Sequence, residues 1–214
     1  MVNLTRIYTR TGDHGSTRLS DNSVASKTDL RVDTYGHVDE ANSAIGVVLA
    51  TPGLPEKLVQ LLGVVQNELF DVGADLSTPL SDDPPWPPVR IPQTSVDRLE
   101  RWCDEFGEPL PNLRSFVLPG GSVAGAYLHV VRTVVRRAER AGWEAAAEFG
   151  VDTPGGITSL ALTYLNRLSD LAFILSRWVT TEQGAQPERE VLWVPGGGDH
   201  GDGDHGDGDQ STPG

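Results

Sequence analysis

Four arginines stand close together at Arg132, Arg136, Arg137 and Arg140, with one acid, Glu139, among them. Arg132, Arg136 and Arg140 recur every four residues, a spacing that stacks them along one face of a helix, and Glu139 falls on that face too. Guanidinium groups at that density repel one another. Their planar forks of N–H donors match an anion rich in oxygen, so a polyanion docked among them would answer the repulsion. A solvated basic face, or arginines paired to acids on neighbouring helices, would account for the same residues. Toward the other end of the chain, Thr9-Arg10-Thr11-Gly12-Asp13-His14-Gly15-Ser16-Thr17 is rich in hydroxyls and small residues. Such a segment suits a loop whose backbone N–H groups approach phosphate oxygens, and Lys27 follows near enough to add a point charge. The spacing is not that of a Walker A loop, and an ordinary turn-rich arm is the alternative.

Other candidates carry less. Asn166 sits mid-helix, where asparagine is a poor helix former but supplies an amide that both donates and accepts. Asp170 lies one turn further on and is placed to hold an arginine of the preceding helix. Phe116 opens a short apolar run that meets a Pro-Gly-Gly turn close to the start of the next helix; pattern alone favours a core plug. Asp39 falls near a helix start, where a carboxylate favours the dipole, or alternatively pairs across an interface. His129, flanked by Leu128 and Val130, reads as structural. Cys103 has no base near it in sequence and reads as a small buried hydrophobe. No serine, cysteine or histidine arrangement suggests a covalent nucleophile. No metal site is expected in the folded part.

The chain has 214 residues and a net charge of −13, of which five charges come from the aspartates between Asp199 and Asp209. The remaining −8 argues against nucleic acid as the main partner, so the arginine cluster is a local exception suited to a small anionic ligand. No apolar run nears the roughly 20 residues of a membrane helix, and the N-terminus has no signal-peptide core. Cys103 is the only cysteine, which fits a reducing compartment and an expected cytoplasmic location.

The elements that must position these residues are five helices. Apolar stripes predict them from about Thr34 to Leu49, from Glu56 to Leu76, from a capping box at Thr94-Ser95-Val96-Asp97 to Pro109, from Ser122 through Gly142 with an irregular continuation to Phe149, and from Thr158 to Val179. Residues 77–93 hold six prolines and read as an extended loop with Trp86 as its packing anchor. The fold class is therefore all-α: a five-helix bundle with an irregular N-terminal segment. Residues 1–195 form the domain. Residues 196–214, rich in Gly, Asp and His, form a tail expected to be disordered, in which any metal binding would be weak.

Five motifs then combine. They are Tyr8-Thr9-Arg10-Thr11-Gly12-Asp13, Tyr35-Gly36-His37-Val38-Asp39-Glu40, Arg114-Ser115-Phe116-Val117-Leu118-Pro119-Gly120-Gly121, Arg132 through Arg140, and Tyr164-Leu165-Asn166-Arg167-Leu168-Ser169-Asp170. In this order the chain resembles the PduO-type ATP:cob(I)alamin adenosyltransferases over about residues 5–195. It departs from their pattern at Arg18, where a small hydroxyl residue is common, and over Ser20–Ser26. The resemblance implies a homotrimer with each active site between adjacent subunits. It implies transfer of the 5′-deoxyadenosyl group of ATP to cob(I)alamin or a related corrinoid, with release of tripolyphosphate. By the same resemblance Thr9, Arg10, Thr11, Gly12, Thr17, Arg18 and Lys27 line the nucleotide, completed by Arg136, Arg137, Glu139, Arg140 and Asn166. Asp39 pairs across subunits with Arg132, and Phe116 lies beneath the corrin ring. Mg²⁺ accompanies the triphosphate. A corrinoid reductase and a B12-dependent mutase are the implied protein partners. A nonenzymatic nucleotide or cobalamin sensor, or delivery module, is the competing class.

Overall fold

The computed structural model describes residues 8, 10–182 and 190–197. Thr9 and the tail from residue 198 lie outside the described residues, so the expectations placed on them are not addressed by the structure. Among the described residues there are five α-helices: α1 (Leu30–Leu49), α2 (Glu56–Ser77), α3 (Gln93–Gly107), α4 (Val123–Phe149) and α5 (Ser159–Glu182). Two short strands, β1 (Ser16–Arg18) and β2 (Val24–Ser26), pair antiparallel with Thr17 opposite Ala25. The N-terminal segment expected to be irregular thus contains a small hairpin.

α4 is the central helix. It packs along α1 on one side and α5 on the other, while α2 lies on α1 and α3 on α5. The core is the sum of the apolar stripes: Val38, Ile45 and Val48 from α1, Leu58 through Leu76 from α2, Leu99 and Phe106 from α3, Leu128, Val131 and Val135 from α4, and Leu165, Leu171 and Leu175 from α5. None of the helices is long and apolar enough to cross a membrane.

Helix ends follow local chemistry. α1 starts at Leu30 rather than near Thr34, because the Asp29 carboxylate accepts from the Arg31 backbone N–H at 2.8 Å and so caps an earlier turn. α3 also starts early, behind Pro92, with no side-chain cap. The Thr94–Asp97 sequence is therefore a first turn rather than a capping box; Gln93 Nε2 donates to Asp97 at 2.8 Å within it. Ser122 caps α4 as expected, accepting from Gly125 N at 3.1 Å. The proline-rich loop is anchored by Arg90 and the buried Ile91, while Trp86 is exposed. Arg90 donates to the Asp75 carboxylate at 2.7 Å and to the Thr78 carbonyl at 2.8 Å, and Ile91 N donates to Asp75 at 2.9 Å. A cation at the loop's end satisfies carbonyls that prolines leave without local partners.

α4 runs unbroken through Gly142, where an irregular continuation was expected. A methyl group there would strike the Leu162 side chain, so the glycine marks close approach of α4 and α5 rather than a break. Gly142→Ala should accordingly destabilise the protein by about 1–3 kcal/mol through overpacking. Gly63→Ala, on α2 with no atom near the added methyl, should stabilise it by roughly 0.5–1 kcal/mol. Denaturant midpoints at unchanged m-value would measure both.

Candidate functional site

α4 is packed on two sides, which leaves its arginines a narrow strip between neighbours. Arg132 is half-buried there, and its Nε is enclosed without a hydrogen-bond partner. Burial, and secondarily the nearby Arg136 charge, lowers its pKa. Both observations describe a cation short of a counter-charge. Arg132 and Arg136 line one wall of a groove of about 790 Å³, and Phe116, Phe173, Asp170 and Trp193 line others. Burial pushes the Asp170 carboxyl up, opposed chiefly by Arg167.

Phe116 is 78 % exposed in that groove, which removes the core-plug reading. Its position comes from a pairing that the sequence did not reveal. Residues 191–193, later in the chain than α5, run antiparallel to Phe116–Leu118, with Leu118 N donating to Val191 O at 2.8 Å and Trp193 N to Phe116 O at 2.7 Å. Ser115 Oγ donates to Trp193 O at 2.7 Å, and the Phe116 and Trp193 rings lie 6.0 Å apart at 58°. The only sequence signal for this was the β-prone run Val191-Leu192-Trp193-Val194.

The remaining arginines divide. Arg140 Nη1 donates to the Arg136 carbonyl at 3.2 Å, and its side chain stays on the exposed strip. Arg137 instead forms an ion pair with Glu40 of α1, the alternative the sequence left open. That pairing is the main reason the Glu40 carboxyl is held below the usual range. His37 lies 3.5 Å from Glu40 and 3.3 Å from Asp33 on the same helix. Glu139 and Asn166 meet across α4 and α5, Asn166 Nδ2 donating at 3.0 Å. Asn166 Oδ1 accepts from Arg167 at 2.7 Å, which fixes the amide's orientation, and Arg167 in turn donates to Glu100 at 2.7 Å.

The N-terminal candidates gather elsewhere. Arg18 and Asp39 line a separate groove of about 400 Å³ between α1 and α2, floored by Gly36, Gly73 and Ala74 and bordered by the exposed Phe70. Tyr35 lines the same groove, and burial raises its phenol pKa, opposed by the nearby Thr17. Arg18 Nη1 donates to Asn22 O at 3.0 Å, closing its hairpin. Lys27 lies across Gly12: a Cβ on that glycine would come within 3.2 Å of the lysine Nζ. Arg10 has a left-handed φ of 61° and its guanidinium sits 5.7 Å from the Tyr8 ring, with Thr11 exposed on the same turn. The two grooves share no lining residue. One chain therefore presents two separate grooves: a cationic and aromatic one on α4 and α5, and one between α1 and α2 bordered by Arg18 of the hairpin. Cys103 takes no part; burial pushes its thiol up to about 11, which rules it out as a ready nucleophile. No cluster of three or more His, Cys, Asp or Glu among the described residues could hold a metal ion.

The arrangement has counterparts among known proteins. Residues 7–179 match the family model described as cobalamin adenosyltransferase. The corrinoid adenosyltransferase of Mycobacterium leprae (strain TN) is 55 % identical over 199 residues, covering 92 % of this chain and 99 % of that one. The corrinoid adenosyltransferase of Bacillus subtilis (strain 168) is 39 % identical over 188 residues, covering 84 % and 89 % respectively. Among solved structures, a variant PduO-type ATP:corrinoid adenosyltransferase from Lactobacillus reuteri, complexed with cobalamin and ATP, superposes with a TM-score of 0.79 at 33 % identity, covering 88 % of this chain and 99 % of that one. A match over most of the chain in both sequence and structure leaves one conclusion: this protein is a member of the cobalamin adenosyltransferase family.

Proposed function

We propose that the protein transfers the 5′-deoxyadenosyl group of ATP to the cobalt of a reduced corrinoid, cob(I)alamin or cob(I)yrinic acid a,c-diamide, and releases tripolyphosphate. The observation that carries this reading is one groove holding both an open aromatic ring, Phe116, and two guanidinium groups: Arg132, whose enclosed Nε has no partner, and the exposed Arg136. The two substrates make those two demands: an apolar platform for a macrocycle and cations for a triphosphate.

Cobalt(I) of the substrate attacks C5′ of ATP. The cobalt–carbon bond forms, the C5′–oxygen bond breaks, and tripolyphosphate leaves with the electron pair. The nucleophile belongs to the substrate, so the protein needs none of its own. Its task is electrostatic: Arg136, Arg140 and Lys27 face the charge that develops on the leaving oxygen. Arg137 joins them once the triphosphate competes with Glu40. Glu139 and Asn166 hold that wall in register through the hydrogen bond between α4 and α5. Mg²⁺ enters on the triphosphate. Phe116 covers the lower face of the corrin ring and keeps water and the tethered base off the cobalt, which eases its reduction. A corrinoid reductase upstream and a B12-dependent mutase downstream are the fitting partners.

The two grooves become one site if Arg18, Lys27 and Asp39 of one copy face α4 of the next, with Asp39 paired to Arg132. A cyclic trimer closes that contact around three sites. Incubating the protein anaerobically with cob(I)alamin and ATP should yield adenosylcobalamin and tripolyphosphate in equal amounts. Nucleotide binding without product would instead favour a sensor or delivery module. Arg136→Ala should lose about 1.5–3 kcal/mol of phosphate interaction, roughly 10- to 150-fold in KM for ATP. Co-expressing Lys27→Ala with Arg136→Ala should rebuild intact sites in about a quarter of positions, because each site draws its halves from different subunits. Activity no higher than that of either single variant would place both halves within one chain. Phe116→Ala should keep ATP affinity but lose turnover that starts from cobalt(II), with a five-coordinate absorption spectrum persisting.

A further inference from the structure

A second, more enclosed cavity of about 170 Å³ lies behind the Val117–Gly121 turn, lined by His129 of α4, Ser176, Arg177 and Thr180 of α5, and Glu190 and Val191 of the returning segment. His129 is 5 % exposed. Its tautomer follows from its neighbour. Ser176 Oγ donates its one proton to Phe173 O at 2.7 Å, so at the 3.3 Å contact with His129 Nε2 the imidazole must donate. Nδ1 is left as a bare acceptor, buried and without a partner. The ring also stands edge-on to Phe173, whose other side lines the larger groove.

Few charges face this imidazole. Arg132 lies on its own helix, Arg177 on α5 and Glu190 on the returning segment; the Val117–Gly121 turn adds none. The one carboxylate is already committed. Arg177 donates to Glu190 through Nε at 2.6 Å and Nη2 at 3.1 Å, while Nη2 also holds the Pro111 carbonyl at 2.8 Å. That fork fastens the start of the segment that carries Trp193.

We propose that His129 is a positioning residue for the corrinoid groove: as a neutral imidazole it leaves Glu190 to Arg177, and so keeps the 190–194 segment docked beside Phe116. A proton on Nδ1 would place a third cation against Arg132 and Arg177 with one carboxylate to share. Glu190 drawn toward the imidazolium weakens the Arg177 fork, and the strand pairing with Phe116 and Leu118 loosens with it. Burial, and then Arg132, lowers the His129 pKa. The released state has an ordinary histidine and takes up protons first. Docking is therefore complete at neutral pH and weakens as pH falls below about 6.5.

The inference rests on the corrinoid reading of the groove only for its effect on turnover; the docking itself can be followed without substrate. Amide hydrogen exchange of the full chain, corrected for intrinsic rates, should show Trp193 and Leu118 protected at pH 8 and several-fold less protected near pH 5.5. His129→Gln, which retains a donor for Ser176 but cannot take the proton, should hold protection at both pH values. It should also lose the acid limb in KM for the corrinoid, with KM for ATP unchanged. His129→Lys should expose the segment at every pH. An acid-induced loss of protection that persists in His129→Gln, or a wild-type segment equally protected at both pH values, would overturn the proposal even if His129→Lys fails to fold. A protein that shows the exchange behaviour but no adenosyl transfer would retain the latch and refute the proposed reaction.

Discussion

The structure turns on the two-sided burial of one helix. α4 supplies apolar residues to α1 and to α5 at once, and only a narrow strip remains for charge. Arg136 and Arg140 on that strip reach solvent, whereas Arg132 is half-buried between its neighbours. Arg132 has an enclosed Nε without a partner and a neighbouring cation, an arrangement that costs stability in the isolated chain. Such an arrangement is tolerated where a counter-charge arrives from outside the chain.

Close helix approach sets the rest of the geometry. Gly142 and Gly125 let α5 come so near α4 that added methyl groups would strike Leu162 and Thr180. That proximity brings Asn166 within hydrogen-bond reach of Glu139 and puts Phe173 and Asp170 opposite the arginine strip. The cationic wall and the aromatic floor thus belong to a single rigid pair of helices, which suits a reaction that must hold two large substrates at a fixed separation.

The groove's outer rim is built differently. Phe116 sits on an extended loop with few contacts of its own, and its register is fixed by main-chain pairing with the segment after α5 and by the Arg177–Glu190 fork. Rigid helices carry the charge, whereas the exposed Phe116 ring is carried by elements joined through a handful of polar contacts. Such contacts open at low cost, as entry of a bulky substrate requires.

The helices, and the face of α4 that the arginines share, are legible in local pattern. Stripes such as Leu58-Leu61-Leu62-Val65 and Leu165-Leu168-Leu171-Leu175 dictate amphipathic helices because burial of apolar surface is their only stable arrangement, and the four-residue recurrence of Arg132, Arg136 and Arg140 fixes a shared face by helical geometry alone. The sequence alone could not say which arginine would be neutralised from within: Arg137 meets Glu40 only because α1 packs on α4. Nor could it place Trp193 beside Phe116 or leave the His129 Nδ1 buried without a partner, since these environments join residues far apart along the chain, through main-chain pairing and burial that leave little periodic trace. Local pattern reports what a segment must bury; only the packed fold decides what each polar group then finds beside it.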